Sequence, residues 1–326
     1  MLREDAWRTP LSAGARMRDV SVGNVRPASG HAFSVCAGGC CADIAAVGAS
    51  LRRLQVDGRD LVLGYAADVV RPHYRGAVLA PWPNRVIDGR WGWNGDQQRL
   101  ALNEPERGNA LHGLVAWDEW RPTEVHEDSV TLTTTVWPRP GYPFLLDLEI
   151  CWTVDADGVT AVLTATGSGS TLAPYGCAIH PYLVAPTGPL ESWVLHVPAH
   201  SQLLTDERNV PTHVAPVAAS HDFTTPRAIG NCVLDDAFTD IDFDESGSSA
   251  VTLVGGDGRG TRIELHRNTP WLQIYTSDDV DGDGHRAAVA VEPMTCPPGA
   301  LASGTDLALI APGESHETRW RIAAIG

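Results

Sequence analysis

An all-β fold, a mainly antiparallel sandwich, is what this 326-residue sequence predicts, and three observations carry the prediction. Short runs rich in β-branched or alternating apolar residues recur along the chain between Gly, Pro, Asn and Asp. Stretches of helical period longer than about ten residues are hard to find. The 32 glycines and 23 prolines leave little uninterrupted length for them. In chain order the strand-like runs are AFSVCA (32–37), VTLTTTV (130–136), FLLDLEICWTV (144–154), GVTAVLTAT (158–166) and AVTLV (250–254). TRIELH (261–266), WLQIYT (271–276), AAVAVE (287–292), DLALI (306–310) and ETRWRIAA (317–324) complete the series. No repeat period, low-complexity tract or evident linker divides the chain, so residues 31–326 are expected to form a single domain.

Residues 1–30 carry charges but no apolar core of the kind a secretory signal needs. They read as a loose N-terminal arm, with Met17 as an alternative start. Net charge is −16, which disfavours a phosphate backbone as partner, so no nucleic acid is expected. All 24 basic residues are arginine, and without lysine there is no Schiff-base, pyridoxal-phosphate or P-loop lysine chemistry. No apolar run approaches the roughly 18 residues that span a bilayer, so no membrane partner is expected. Seven cysteines, an odd number in a chain without an export signal, suggest reduced thiols and a cytoplasmic location. Cys36, Cys40 and Cys41 have no second Cys/His pair at zinc-finger spacing and read as buried small hydrophobes.

Chemistry-bearing residues sit where apolar or turn-rich stretches break. PWPNRVIDG (81–89) fixes the backbone with two prolines and then presents Asn84 and Arg85, an amide and a planar donor fork suited to vicinal hydroxyls. NALHGL (109–114) places His112 before a glycine, a setting shared by turn histidines. APYGCAIHPYLVAP (173–186) reads as a strand until His180; Pro181 then removes a ladder donor and forces extended geometry, so the pair belongs at a strand end or edge. In AVAVEPMTCPPGA (288–300), Glu292 ends an apolar strand, where partial desolvation raises a carboxyl toward general-base use. DDVDGDGH (278–285) matches the opening of a calcium loop at Asp279, Asp281, Asp283 and Gly284, but its twelfth position is Ala290 and a strand follows. It reads as an acidic hairpin turn, and no metal is expected.

In sequence order these motifs resemble the aldose 1-epimerases, or galactose mutarotases, from about residue 40 to the C-terminus. The matches are Asn84-Arg85 before Val86, His112 in LHG, His180 and Tyr182 in HPY, Asp235 in LDDAF, Gln273 in WLQIYT and Glu292 in AVAVEP. The resemblance implies a galactose-mutarotase-like β-supersandwich with an open sugar cleft and no cofactor. His180 would be the general acid and Glu292 the general base. Asn84, Arg85, His112, Tyr182, Asp235 and Gln273 would hold a monosaccharide, in a monomer or homodimer. Asp235 rather than Asp236 is chosen by its distance to Phe238, and proline after the histidine departs from the Ser or Thr many members carry there. Protonated His180 and ionised Glu292 as working forms predict a bell-shaped pH profile. Three other readings compete: a hexose-6-phosphate epimerase using Arg53, Arg75, Arg99 or Arg107, a non-catalytic sugar-binding sandwich, and a hydrolase pairing Glu292 with Asp235.

Overall fold

The computed structural model describes residues 26–326 apart from Asp281. The proposed arm and the alternative start at Met17 therefore lie outside the described residues up to position 25. Ser29 and Gly30 are buried, and the Ser29 N–H donates to the Ala67 carbonyl at 2.9 Å. Among the described residues the α-helix content is one turn, Ala300–Ser303. No described helix is long and apolar enough to cross a membrane.

Alternation shapes the larger sheet. In Leu146–Val154 every second side chain from Leu146 to Val154 is buried, while Asp147, Glu149 and Thr153 are exposed. One face so patterned must cover a core. Nine antiparallel strands do this in the order Arg121–Val125, Ser129–Val136, Leu146–Val154, Gly158–Gly167, Ser315–Ile325, Gly260–His266, Ser248–Val254, Val194–His196 and Arg227–Ala228.

A second sheet runs in the order Pro211–Pro216, Ala199–Thr205, Asp235–Ile241, Trp271–Tyr275, Val289–Met294, Ala178–Ile179 and Val78–Leu79, with Tyr182–Leu183 also pairing Val289–Met294. Phe238, Leu272, Ile274, Val289 and Val291 from this sheet join Leu148, Ile150, Leu163, Trp320 and Ile322 from the nine-stranded sheet in one apolar cluster. The alternate residues of the same strands, Gln273 and Glu292 among them, therefore face away from that core. All strand pairings between named strands are antiparallel, as the sequence predicts.

Two expectations change. Cys36 and Cys41 are exposed and joined by a disulfide, neither reduced nor buried; only Cys40 of the three is a buried small hydrophobe. The Gly38-Gly39 turn between Ala32–Ala37 and Cys40–Ala45 sets a register in which Cys36 directly opposes Cys41, with Cα atoms 4.2 Å apart. Pro181 interrupts its strand instead of ending it, because pairing with Val289–Met294 resumes at Tyr182.

Candidate active site

The interruption at His180-Pro181 aims the imidazole. Ala178 pairs with Met294 and Tyr182 with Ala290, so the register puts His180 opposite Glu292. The peptide groups are all used: His180 N–H donates to Ala77 O at 3.0 Å, its carbonyl accepts from Gly76 N–H at 2.7 Å, and the Pro181 carbonyl accepts from Val291 N–H at 3.1 Å. A proline at this position therefore orphans no ladder partner. His180 Nε2 lies 3.2 Å from Glu292 Oε1, and both side chains are almost fully buried. His180 Nδ1 and Glu292 Oε2 have no hydrogen-bond partner within the protein.

The other site residues assemble on the same face. Gln273 is the cross-strand neighbour of Glu292 and also of Ala237, which brings Asp235 to this face and turns Asp236 to the other. Gln273 Nε2 donates to Asp235 Oδ1 at 2.8 Å, and Asn84 Nδ2 donates to Gln273 Oε1 at 3.2 Å. Asn209 Nδ2 fixes the other Asp235 oxygen at 3.0 Å. Asp236 instead meets His221 at 3.4 Å and Gln202 at 3.4 Å.

Asn84 and His112 both take left-handed backbone conformations, with φ of 55° and 60°. Gly113, at φ 74°, touches the 80–84 segment so closely that a Cβ there would lie 2.1 Å from the Ala80 carbonyl oxygen. Only glycine fits this approach, so the Leu-His-Gly spacing is a packing requirement as well as a motif. The Asn84 N–H then donates to His112 Nδ1 at 3.2 Å. Burial, with repulsion from His180 and Arg85, keeps this imidazole neutral, so its ring proton sits on Nε2 as a donor.

That tautomer decides the metal question. His112, His180 and Glu292 offer one ligand atom each within 4.8 Å of one another. His112 Nδ1 is already occupied by the Asn84 N–H and Nε2 carries the proton, so His112 lacks the bare nitrogen a metal needs. The three residues do not fit a metal ion. Of the calcium-loop positions, Asp281 lies outside the described residues, and Ala290 sits in strand Val289–Met294 beside Tyr182.

All eight residues singled out in the sequence, Asn84, Arg85, His112, His180, Tyr182, Asp235, Gln273 and Glu292, line one cavity of about 220 Å³. That is room for about seven waters, the scale of one monosaccharide ring. Arg85 is not the free fork the sequence suggests. Its Nε contacts both Glu104 oxygens at 3.2 and 3.1 Å, and its Nη2 donates to Oε1 at 3.0 Å. Tyr182 donates its hydroxyl to the His73 carbonyl at 3.2 Å, leaving mainly its ring to the site.

His73, Tyr74, Glu104, Arg107, Leu111, Tyr275 and Asp279 complete the lining; the sequence offers Arg107 only for a phosphate and Asp279 only in the acidic turn, and assigns no role to the other five. Burial alone would raise the Glu104 carboxyl, but hydrogen bonds from Arg85, Asn109 and Arg107 outweigh it and hold Glu104 below the usual range. A larger hollow, about 560 Å³, lies on the outer face of the nine-stranded sheet. It has no histidine, and its Asp147 is already held by Thr135 and Ser168.

Protonation departs from the expected working forms. Burial pushes His180 down to about 3; a hydrogen bond to its own backbone opposes this in part, and Arg71 and then His73 add smaller repulsions. Glu292 is raised well above the ordinary carboxyl range by burial and then by Asp235, with Arg85 only partly opposing. The pair thus rests as neutral imidazole and carboxylic acid, a tautomer holding the same single proton as imidazolium and carboxylate.

The family model for aldose 1-epimerase matches residues 31–323. The uncharacterized protein YihR of Escherichia coli K12 is 33% identical over 297 residues, 90% of this chain and 93% of its own. Galactose mutarotase of Homo sapiens is 26% identical over 309 residues, covering 85% and 89% of the two chains. The fold matches a GalM/aldose epimerase homologue from C. elegans with a TM-score of 0.79 at 18% identity, over 90% of this chain and 98% of that one.

Proposed function

The chain belongs to the aldose 1-epimerase family, and from that premise we propose that it interconverts the α and β anomers of a free, uncharged aldose, with His180 and Glu292 as acid and base. The observation that carries this reading is the 3.2 Å contact between His180 Nε2 and Glu292 Oε1 inside the cavity. The sugar oxygens O1 and O5 are bonded to the same carbon, so the groups that serve them must be close neighbours.

Glu292 takes the O1 proton, the electron pair forms the C1=O1 carbonyl, the C1–O5 bond breaks, and O5 receives the proton from His180. Rotation about C1–C2 and reversal of both transfers close the ring from the other face. Ring opening leaves the acid on Glu292 and a neutral His180, the tautomer that burial favours. The cycle starts when the Glu292 proton crosses to His180, which the polar hydroxyls of bound sugar assist. His112 Nε2, Asn84, Arg85, Gln273 and Asp235 hold the remaining hydroxyls, with the Tyr182 ring beside them.

Charge in the cavity supports a neutral substrate. Arg85 is committed to Glu104, and Arg107 pairs with Glu104 at 3.2 Å and Asp279 at 3.6 Å. Asp235 adds a further carboxylate, so no surplus cation is left for a phosphate. Arg75 donates to the Gly64 carbonyl at 3.3 Å and lies over the Tyr182 ring, and Arg53 lines a different hollow. Residues 31–326 are read as one functional unit, since the site draws on positions 73–292 and the main apolar cluster runs from Phe33 to Ile322.

Proton NMR of freshly dissolved single anomers tests the proposal. Exchange of one or more neutral aldoses should accelerate on adding protein. Equal rates with and without protein across neutral and 6-phosphorylated sugars would sink it, and a response confined to phosphorylated sugars would overturn the neutral-substrate half.

Arg85→Ala has a more particular outcome than loss of one hydroxyl contact, because it leaves Glu104 with only Arg107 and Asn109. The KM for the sugar should rise about tenfold, equivalent to about 1.4 kcal/mol. The shape of the pH profile should survive, since neither titrating group is removed. Saturation curves at several pH values, with melting temperature to verify folding, give the answer; an unchanged KM would remove Arg85 from the binding set.

A further inference from the structure

We infer that Tyr74 is a positioning residue for His180: its ring and that of Tyr182 lie nearly parallel to the imidazole and wall it from water, in register with Glu292. The inference rests on the acid role proposed for His180. The Tyr182 ring lies 5.2 Å from the imidazole at 8°, and the Tyr74 ring 6.4 Å away at 16°. Tyr74 also touches His112, at 4.7 Å between ring centres, and Trp117, at 5.5 Å.

Its backbone indicates that the placement is built in. His73 and Tyr74 are consecutive non-glycine residues in the left-handed region, at φ 45° and 56°. Such strain persists only where surrounding structure over-determines it, and it gathers at functional sites. Two and three residues beyond Tyr74, Gly76 and Ala77 hold the His180 peptide by two hydrogen bonds. A Cβ on Gly76 would lie 2.1 Å from the Leu51 carbonyl oxygen, so this segment packs directly against the mostly buried strand Ser50–Val56. One short stretch thus fixes both the main chain and the ring of His180.

The Tyr74 hydroxyl extends the frame to the other imidazole. It accepts a hydrogen bond from Asn103 Nδ2 at 3.2 Å. Asn103 brackets Leu111, next to His112, with bonds of 2.6 and 2.9 Å.

The charged and titratable groups around His180 come from four directions. Arg71 and His73 repel its proton from the Tyr74 segment, Glu292 faces it from Val289–Met294, His112 lies 5.1 Å away between ring centres, and Tyr182 adjoins it on its own chain. Removing the Tyr74 ring keeps all of these and admits water. Hydration favours the imidazolium, so the titration of His180 should move upward toward that of an ordinary histidine.

The test compares Tyr74→Leu with Tyr74→Phe, following the His180 ring by NMR titration of histidine-labelled protein alongside the pH dependence of anomer exchange. In the Leu variant the acid limb and the His180 titration should both rise by about one pH unit, with kcat reduced more than KM. The Phe variant keeps the wall and should retain the wild-type limb. An unmoved His180 titration in Tyr74→Leu, or an equal shift in Tyr74→Phe, would overturn the inference. The NMR titration reads His180 even in protein without epimerase activity, so failure of the proposed reaction and failure of the Tyr74 role give different results. Should Tyr74→Leu not fold, Tyr74→Met replaces it under the same criteria.

Discussion

Glu292→Gln is expected to lower turnover at least a hundredfold, the scale for a positioned proton acceptor, while making the folded protein more resistant to alkali. Gln keeps the shape and one acceptor but cannot take the O1 proton. The stability gain follows from burial. Glu292 is almost fully buried and its Oε2 has no protein partner, so ionising it in the folded state is costly.

A carboxyl raised on folding contributes stability fully below its unfolded value, near 4.5, and that contribution is lost as pH rises through the folded value. Gln carries no such proton. The melting temperature of the variant should therefore match wild type near pH 4 and exceed it increasingly toward pH 9. Calorimetry across this range, paired with anomer exchange by NMR, separates the two effects. A folded variant with near wild-type turnover would remove Glu292 as base, and an unchanged alkaline stability would contradict its resting protonation.

What the sequence made legible follows from where periodicity survives burial. Leu146–Val154 exposes one face to water and Gly158–Gly167 leaves one face half-buried, so their alternation reads directly as strand. The strands that carry the site behave differently. Val289–Met294 is buried on both faces, and Ala178–Ile179 and Tyr182–Leu183 are only two residues long. Pro211–Pro216 begins and ends on proline at the sheet edge. Such segments give little or no period-2 signal, and the strand Asp235–Ile241 was visible only as the motif LDDAF.

The site was legible where a motif fixed a position and obscure where function depends on a partner. Glu104 and Arg107 sit in NEPERG, a turn-rich stretch of no particular pattern, and Glu104 matters because Arg85 reaches it from another element. Tyr74 depends on two unusual φ angles that no residue type announces. Gly38-Gly39 did hold the signal for the Cys36–Cys41 bond, since a two-residue turn makes those positions opposite. The protonation of the pair is illegible in the sequence for a related reason: residue types carry reference pKa values, whereas burial of both partners belongs to the fold.

His180→Asn should also cost at least a hundredfold in turnover, with a pH signature opposite to that of Glu292→Gln. In the wild type the active pair holds one proton. Activity should fall in acid when the pair gains a second proton, and in alkali when it loses its last. Without His180 only Glu292 titrates, and it works as a base when ionised, so the residual rate should climb with pH and then level off. The alkaline limb vanishes.

Stability reports the same assignment independently. Burial holds His180 down to about 3, against 6.5 for an ordinary histidine. A group depressed on folding contributes stability above its unfolded value and loses it as pH falls toward the folded one. Wild type should therefore weaken between about pH 6.5 and pH 3 as the buried imidazole is forced to charge, and Asn removes that liability. Urea midpoints should show His180→Asn gaining on wild type in acid, where Glu292→Gln gains only in alkali. A folded His180→Asn protein that keeps both its turnover and its alkaline limb would dismiss this histidine as the acid. The 3.2 Å contact would then be a structural hydrogen bond, and a different donor would have to reach O5.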